Sequence, residues 1–152
     1  LEMLARDLFW KVRVAIAQNI NTPMNILTSF FMDETEQVRV AVVQNPNAEE
    51  KLLSSFARDI ESWQVRAMVA QNSKTPLDVL AKLSEDEYWE VREKVAQNEN
   101  TQTDLLSMLA NDNHWMVRLA VAKNHNTSVE VLEKLAKDED YYVKIAAEEK
   151  MK

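Results

Sequence analysis

The chain repeats itself about every 26 residues, and a period of that length admits few folds. Residues 87–106, EYWEVREKVAQNENTQTDLL, return as residues 113–132, NHWMVRLAVAKNHNTSVEVL. Val-Arg stands at 12, 38, 65, 91 and 117, with Val-Lys at 143, so the steps are 26, 27, 26, 26 and 26. An aspartate precedes the valine by five residues at Asp7, Asp33, Asp86, Asp112 and Asp138, and by six at Asp59. The single inserted residue therefore lies between Asp59 and Val65. An asparagine follows the valine by seven at Asn19, Asn45, Asn72, Asn98 and Asn124.

Each copy reads as two short helices. The first is expected to run from the Asp to the Asn, with apolar residues three and four apart such as Val91 and Val95 or Val117 and Val121. Asp would cap its start, and Asn, which tolerates the left-handed conformation, would end it. The second is expected to open at Thr22, Thr75, Thr101 or Thr127, with Pro23 and Pro76 at the first helical position. Asp78, Asp104 and Glu130 stand three residues after their threonines, as in a capping box. Leu80 and Leu83, Leu106 and Leu109, and Leu132 and Leu135 form its apolar stripe, and Ala48 replaces the threonine in the second copy.

Helices of about ten residues are marginal alone, and one pair cannot bury its own stripes. Copies must therefore close over one another. The expected fold is all-α, a solenoid of short paired helices in about five 26-residue repeats that form one domain over residues 1–152. The units fall near 7–32, 33–58, 59–85, 86–111 and 112–137, with partial units at 1–6 and 138–152. LEMLARD at residues 1–7 matches LSMLAND at 106–112, which reads as an opening in the middle of a second helix and an expectation of further chain upstream. EEKMK turns polar where another A-x-N is due, and reads as a cap or the array's end.

Composition narrows the function. Glycine is absent, where average usage would supply roughly ten, and tight hairpins, dinucleotide folds and P-loops usually need it. Cysteine is absent too, which excludes disulfides, thiolate metal sites and a cysteine nucleophile from these residues and fits a reducing, cytoplasmic setting. No run of about 18 apolar residues calls for a membrane span. Eighteen Lys and Arg against 25 Asp and Glu give a net charge of -7, which disfavours nucleic acid as a partner.

Three columns invite a functional reading. Arg13, Arg39, Arg66, Arg92, Arg118 and Lys144 could grip an acidic partner, or pair within or between units with the aspartate column, which is the reading the matched numbers favour. Trp10, Trp63, Trp89, Trp115 and Tyr141 stand two residues before the valine, with Glu36 as the exception. They are set to pack between units, or to offer a row of rings beside the arginines three residues on. The asparagine column is read as helix termination. The two histidines, His114 and His125, occupy non-equivalent positions, and no serine sits in a glycine-framed elbow.

The unit V-R-x-x-V-A-x-N-x-x-T-P-x-x-x-L-x-x-L-x-x-D, clearest as VRAMVAQNSKTPLDVLAKLSED, resembles the leucine-rich repeat variant and, more distantly, HEAT repeats. The resemblance implies a right-handed superhelix in which α and 3₁₀ helices alternate, so some of the short helices here are open to being 3₁₀. It also implies scaffolding and protein binding. The cysteine-bound iron–sulfur cluster of one family member does not carry over to these residues. The expected function is a non-enzymatic scaffold for a protein or peptide, without cofactor or metal. Its candidate contacts are Trp63, Trp89, Trp115, Arg66, Arg92 and Arg118. A nucleic-acid module and a structural spacer are the alternatives.

Overall fold

A computed structural model describes all 152 residues, and every regular element in it is helical. No helix is long and apolar enough to cross a membrane. The chain divides into two compact units, Leu1–Pro76 and Leu77–Lys152.

The first unit holds α1 (Trp10–Gln18), α2 (Met24–Ser29), α3 (Glu36–Gln44), α4 (Glu50–Phe56) and α5 (Trp63–Gln71). Single 3₁₀ turns at Leu4–Arg6 and Phe30–Met32 are the only segments of the expected 3₁₀ type. Here α3 packs against both α1 and α5, and α4 lies against α3 and α5. The second unit holds α6 (Leu77–Leu83), α7 (Trp89–Gln97), α8 (Thr103–Leu109), α9 (Trp115–Lys123), α10 (Val129–Leu135) and α11 (Tyr141–Lys150). In it α9 packs between α7 and α11, with α8 touching α7 and α9, and α10 touching α9 and α11. Within each unit the first helices of successive copies thus pack on one another, and the second helices lie against them.

The expected stripes make the core. Val38 and Val42, Val65 and Val69, Val91 and Val95, and Val117 and Val121 are sealed from solvent. Facing them are Leu27 and Phe30, Leu53 and Phe56, Leu80 and Leu83, Leu106 and Leu109, and Leu132 and Leu135, all buried. The phenylalanines fill the second leucine position in the first two complete copies, and the Phe31 ring meets Phe56 edge-on at 5.2 Å. Burying a side chain of this size stabilises by roughly 1.5–3 kcal/mol, and each complete copy has such a pair in its second helix or, for Phe30, in the 3₁₀ turn that continues it.

The helix ends depart from the sequence expectation. Each first helix starts three or four residues after its aspartate, because that aspartate closes a turn ahead of the helix. The carboxylates of Asp33, Asp112 and Asp138 accept the N–H two residues on, from Thr35, His114 and Asp140, at 2.8–2.9 Å. Nor does asparagine end these helices in the left-handed region, since no residue has a positive φ. Asn45 sits at φ -66° and ψ 130°, and Asn124 at φ -68° and ψ 135°, both extended. The threonines do not cap the second helices, which open two residues later, and Pro23 lies just before α2 instead of within it. The hydroxyls of Thr22, Thr75, Thr101 and Thr127 turn back and donate to Ile16, Val69, Val95 and Val121 at 2.5–2.6 Å. Each adds a second bond to a carbonyl at the end of a first helix that already accepts the N–H of the closing asparagine, as Val121 does from Asn124 at 3.1 Å.

Candidate functional site

The polar columns resolve into two ladders running from copy to copy. In the first, an arginine on one first helix reaches the aspartate 20 residues ahead, in the next copy. The Nε of Arg13, Arg39, Arg92 and Arg118 donates to Asp33, Asp59, Asp112 and Asp138 at 2.6–2.7 Å. Arg13, Arg92 and Arg118 add a second bond from Nη2 at 2.9–3.0 Å, which makes those pairs bidentate. Nη1 of each arginine turns the other way, to its own copy's aspartate carbonyl, as Arg92 does to Asp86 at 2.7 Å. One guanidinium therefore fastens two inter-helix loops. Arg66 keeps the inner bond to the Asp59 carbonyl at 2.7 Å across the inserted residue, so the extra residue is absorbed in the loop.

These pairs lie largely out of water: the Arg118 and Asp138 side chains are 10% and 8% exposed. The Asp138 carboxyl is held below the usual carboxylate range, chiefly by its bond from Arg118, which burial opposes and the Asp140 N–H supports. For Asp112 burial is the largest influence and pushes upward, yet the Arg92 bond, the His114 N–H and the Arg92 charge together outweigh it. Arg92 and Arg118 are both raised by their carboxylate partners.

The second ladder belongs to asparagine and was not legible as such in the sequence. Oδ1 of Asn124 accepts from the Asn126 N–H at 2.9 Å, while Nδ2 donates to Ala96 at 2.7 Å and to Asn98 at 3.0 Å, the carbonyl end of α7. Asn45 bonds in the same way to Ala17 at 2.6 Å and Asn19 at 3.1 Å, at the end of α1, and Asn72 donates to Val43 at 2.8 Å. Where a further asparagine would fall, Lys150 donates from Nζ to the Lys123 carbonyl at 3.2 Å. The available signal was the sixfold Asp and Arg columns running beside a fivefold Asn column of equal regularity, which helix termination alone does not require.

The aromatic column is arranged differently in the two units. In Leu77–Lys152 the Trp89 ring stacks on His114 at 3.9 Å and 11°, His114 faces Trp115 at 6.3 Å, and Trp115 meets Tyr142 at 6.0 Å. Tyr141 closes this row edge-on to Tyr142 at 5.8 Å. Trp89, His114 and Trp115 are half-buried, whereas Tyr141 and Tyr142 are 69% and 64% exposed. The expected partnership of each tryptophan with the arginine three residues on gives way at Arg92 and Arg118 to the carboxylates. In Leu1–Pro76 the exceptional Glu36 is matched by a second exception: Ser62 occupies the position that His114 fills, and its hydroxyl donates to Glu36 at 2.7 Å. A polar pair thus replaces a stacked pair at equivalent positions. Trp63 begins α5 and is half-buried, as is Arg66. The row therefore brings Trp89 and Trp115 together with two residues the sequence reading did not nominate, His114 and Tyr142.

Comparison with known proteins follows the same register. The family model described as leucine rich repeat variant matches residues 63–87 and 115–140, two segments that each begin at a tryptophan of the aromatic column. Among solved structures, "A leucine-rich repeat variant with a novel repetitive protein structural motif" is similar at 28% identity, over 97% of this chain and 69% of that one, with a TM-score of 0.46. No curated protein matches. Two copies of the chain thus match the leucine rich repeat variant model, and the remaining copies share the columns of those two.

Proposed function

We propose that the chain is a non-catalytic repeat scaffold, one domain over residues 1–152, whose regular surface holds a protein or peptide partner. The observation that carries this reading is the division of labour among the columns. The Arg, Asp and Asn side chains are directed into copy-to-copy bonds and the Thr hydroxyls into bonds within their own copy, while the aromatic column stays partly open to solvent at fixed intervals. Rigid, half-exposed rings are favoured anchors for a partner, because they offer much contact area at small entropic cost. His114 fits the same picture: Nδ1 accepts the Met116 N–H and the ring is stacked, so it positions α9 instead of serving as a base.

Trp63, Trp89 and Trp115 are the proposed contacts, with Arg66, Arg92 and Arg118 beside them. The test is hydroxyl-radical footprinting of the full chain, free and after capture of its partner. Protection centred on the three tryptophans supports the scaffold reading. Unchanged labelling across the whole aromatic column, or substrate turnover by the purified chain, overturns it.

A further inference from the structure

We propose that the aromatic row of residues 77–152 receives an arginine-bearing segment of the partner, an inference that rests on the scaffold reading above. Ring and charge point to the same ligand. The row ends in two open phenol rings, Tyr141 and Tyr142, and a ring face attracts a cation set within about 6 Å of its centre. Fixed charge around the row is acidic. Arg92 and Arg118 are neutralised by their bidentate carboxylates, and the other charged residues within two positions of a ring of the row in sequence are Glu87, Glu90, Glu139 and Asp140 against exposed Lys144. Glu139 stands beside the Arg118 guanidinium at 3.8 Å with its side chain 92% exposed, and Asp140 caps α11 immediately before Tyr141. An anionic partner would meet these carboxylates. Among cations, guanidinium is the better fit, because it is planar, weakly hydrated, stacks on rings and accepts carboxylates in its plane, whereas ammonium is a strongly hydrated point charge.

The experiment is calorimetric titration of the full chain with an unstructured peptide of alternating glycine and arginine, beside matched lysine and glutamate peptides. The arginine peptide should bind more tightly than the lysine peptide, and more weakly as salt is raised. Tyr141→Ala and Tyr142→Ala, at exposed positions where folding is checked by circular dichroism, should each weaken it about threefold to tenfold. Glu139→Gln should weaken it about twofold, and Glu49→Gln, an exposed acid of the other unit, should not. Equal affinity for the lysine peptide, preference for the glutamate peptide, or equal loss in Glu49→Gln would overturn the arginine assignment. If the arginine peptide fails while footprinting still protects the tryptophans, this inference falls and the scaffold stands. If footprinting fails as well, both fall.

Discussion

Asp112→Ala strands the Arg92 guanidinium, whose side chain is 18% exposed and which has no other carboxylate bonded to it. Leaving a half-desolvated charge unpaired destabilises by about 2–3 kcal/mol, less than the full penalty of a deeply buried pair. Asp78→Ala removes a partner at 3.7 Å from Lys82 in a pair whose side chains are 72% and 67% exposed, and should change stability by less than about 0.5 kcal/mol. Urea midpoints of the two variants measure the contrast. The ladder also sets the response to acid. The carboxyls of Asp33, Asp112 and Asp138 are lowered in the folded state, so their contribution is complete above the unfolded value of about 3.9 and is lost as pH falls through the folded values. Thermal midpoints should fall steeply below about pH 4, and Asp138→Asn should flatten that limb while lowering stability at neutral pH.

At the level of helices, Leu106 on α8 is fully buried and Leu77 on α6 is 46% exposed, although both belong to second helices of the same kind. Leu106→Ala should cost about 2–5 kcal/mol and Leu77→Ala less than about 1 kcal/mol, read from denaturant midpoints. Asn124→Asp keeps the turn to Asn126 but sets a carboxylate against the carbonyls that end α7, and should destabilise by about 2–4 kcal/mol. Asn19→Asp, at an exposed position, should stay near wild type. These elements show what periodicity can reveal. It identifies equivalent positions, so the helix pairs, the valine and leucine stripes and the link between the Asp and Arg columns were all legible. It does not identify neighbours. Whether Arg92 meets Asp86 or Asp112 depends on how far the chain rises per copy, and a repeat of 26 is silent on that rise. The asparagines do close the first helices as their spacing predicts, in extended instead of left-handed backbone, and their side chains add bonds to the preceding copy that local capping logic does not contain. The threonines differ more, since their hydroxyls turn back to the first helix instead of capping the second. Glu36 alone looked like a defect; only with Ser62, its bonded partner, does it read as a substituted pair.

At the scale of the molecule, neighbouring copies within each unit hold one another. Their first helices pack together, an arginine of one copy fastens the loop of the next, and an asparagine of the later copy bonds the end of the earlier copy's first helix. The four Arg–Asp rungs are each neutral, so the net charge of -7 resides outside them. This picture rests on energetic coupling between positions far apart in sequence. Its most direct test is a double-mutant cycle on Arg92→Met and Asp112→Asn, the latter chosen because it preserves the acceptor for the His114 N–H. Equilibrium unfolding of the wild type, the two single variants and the double variant should give a coupling of about 1–3 kcal/mol between these residues. Additivity to within about 0.5 kcal/mol would mean that the rung is decoration and that the copies are not joined through it.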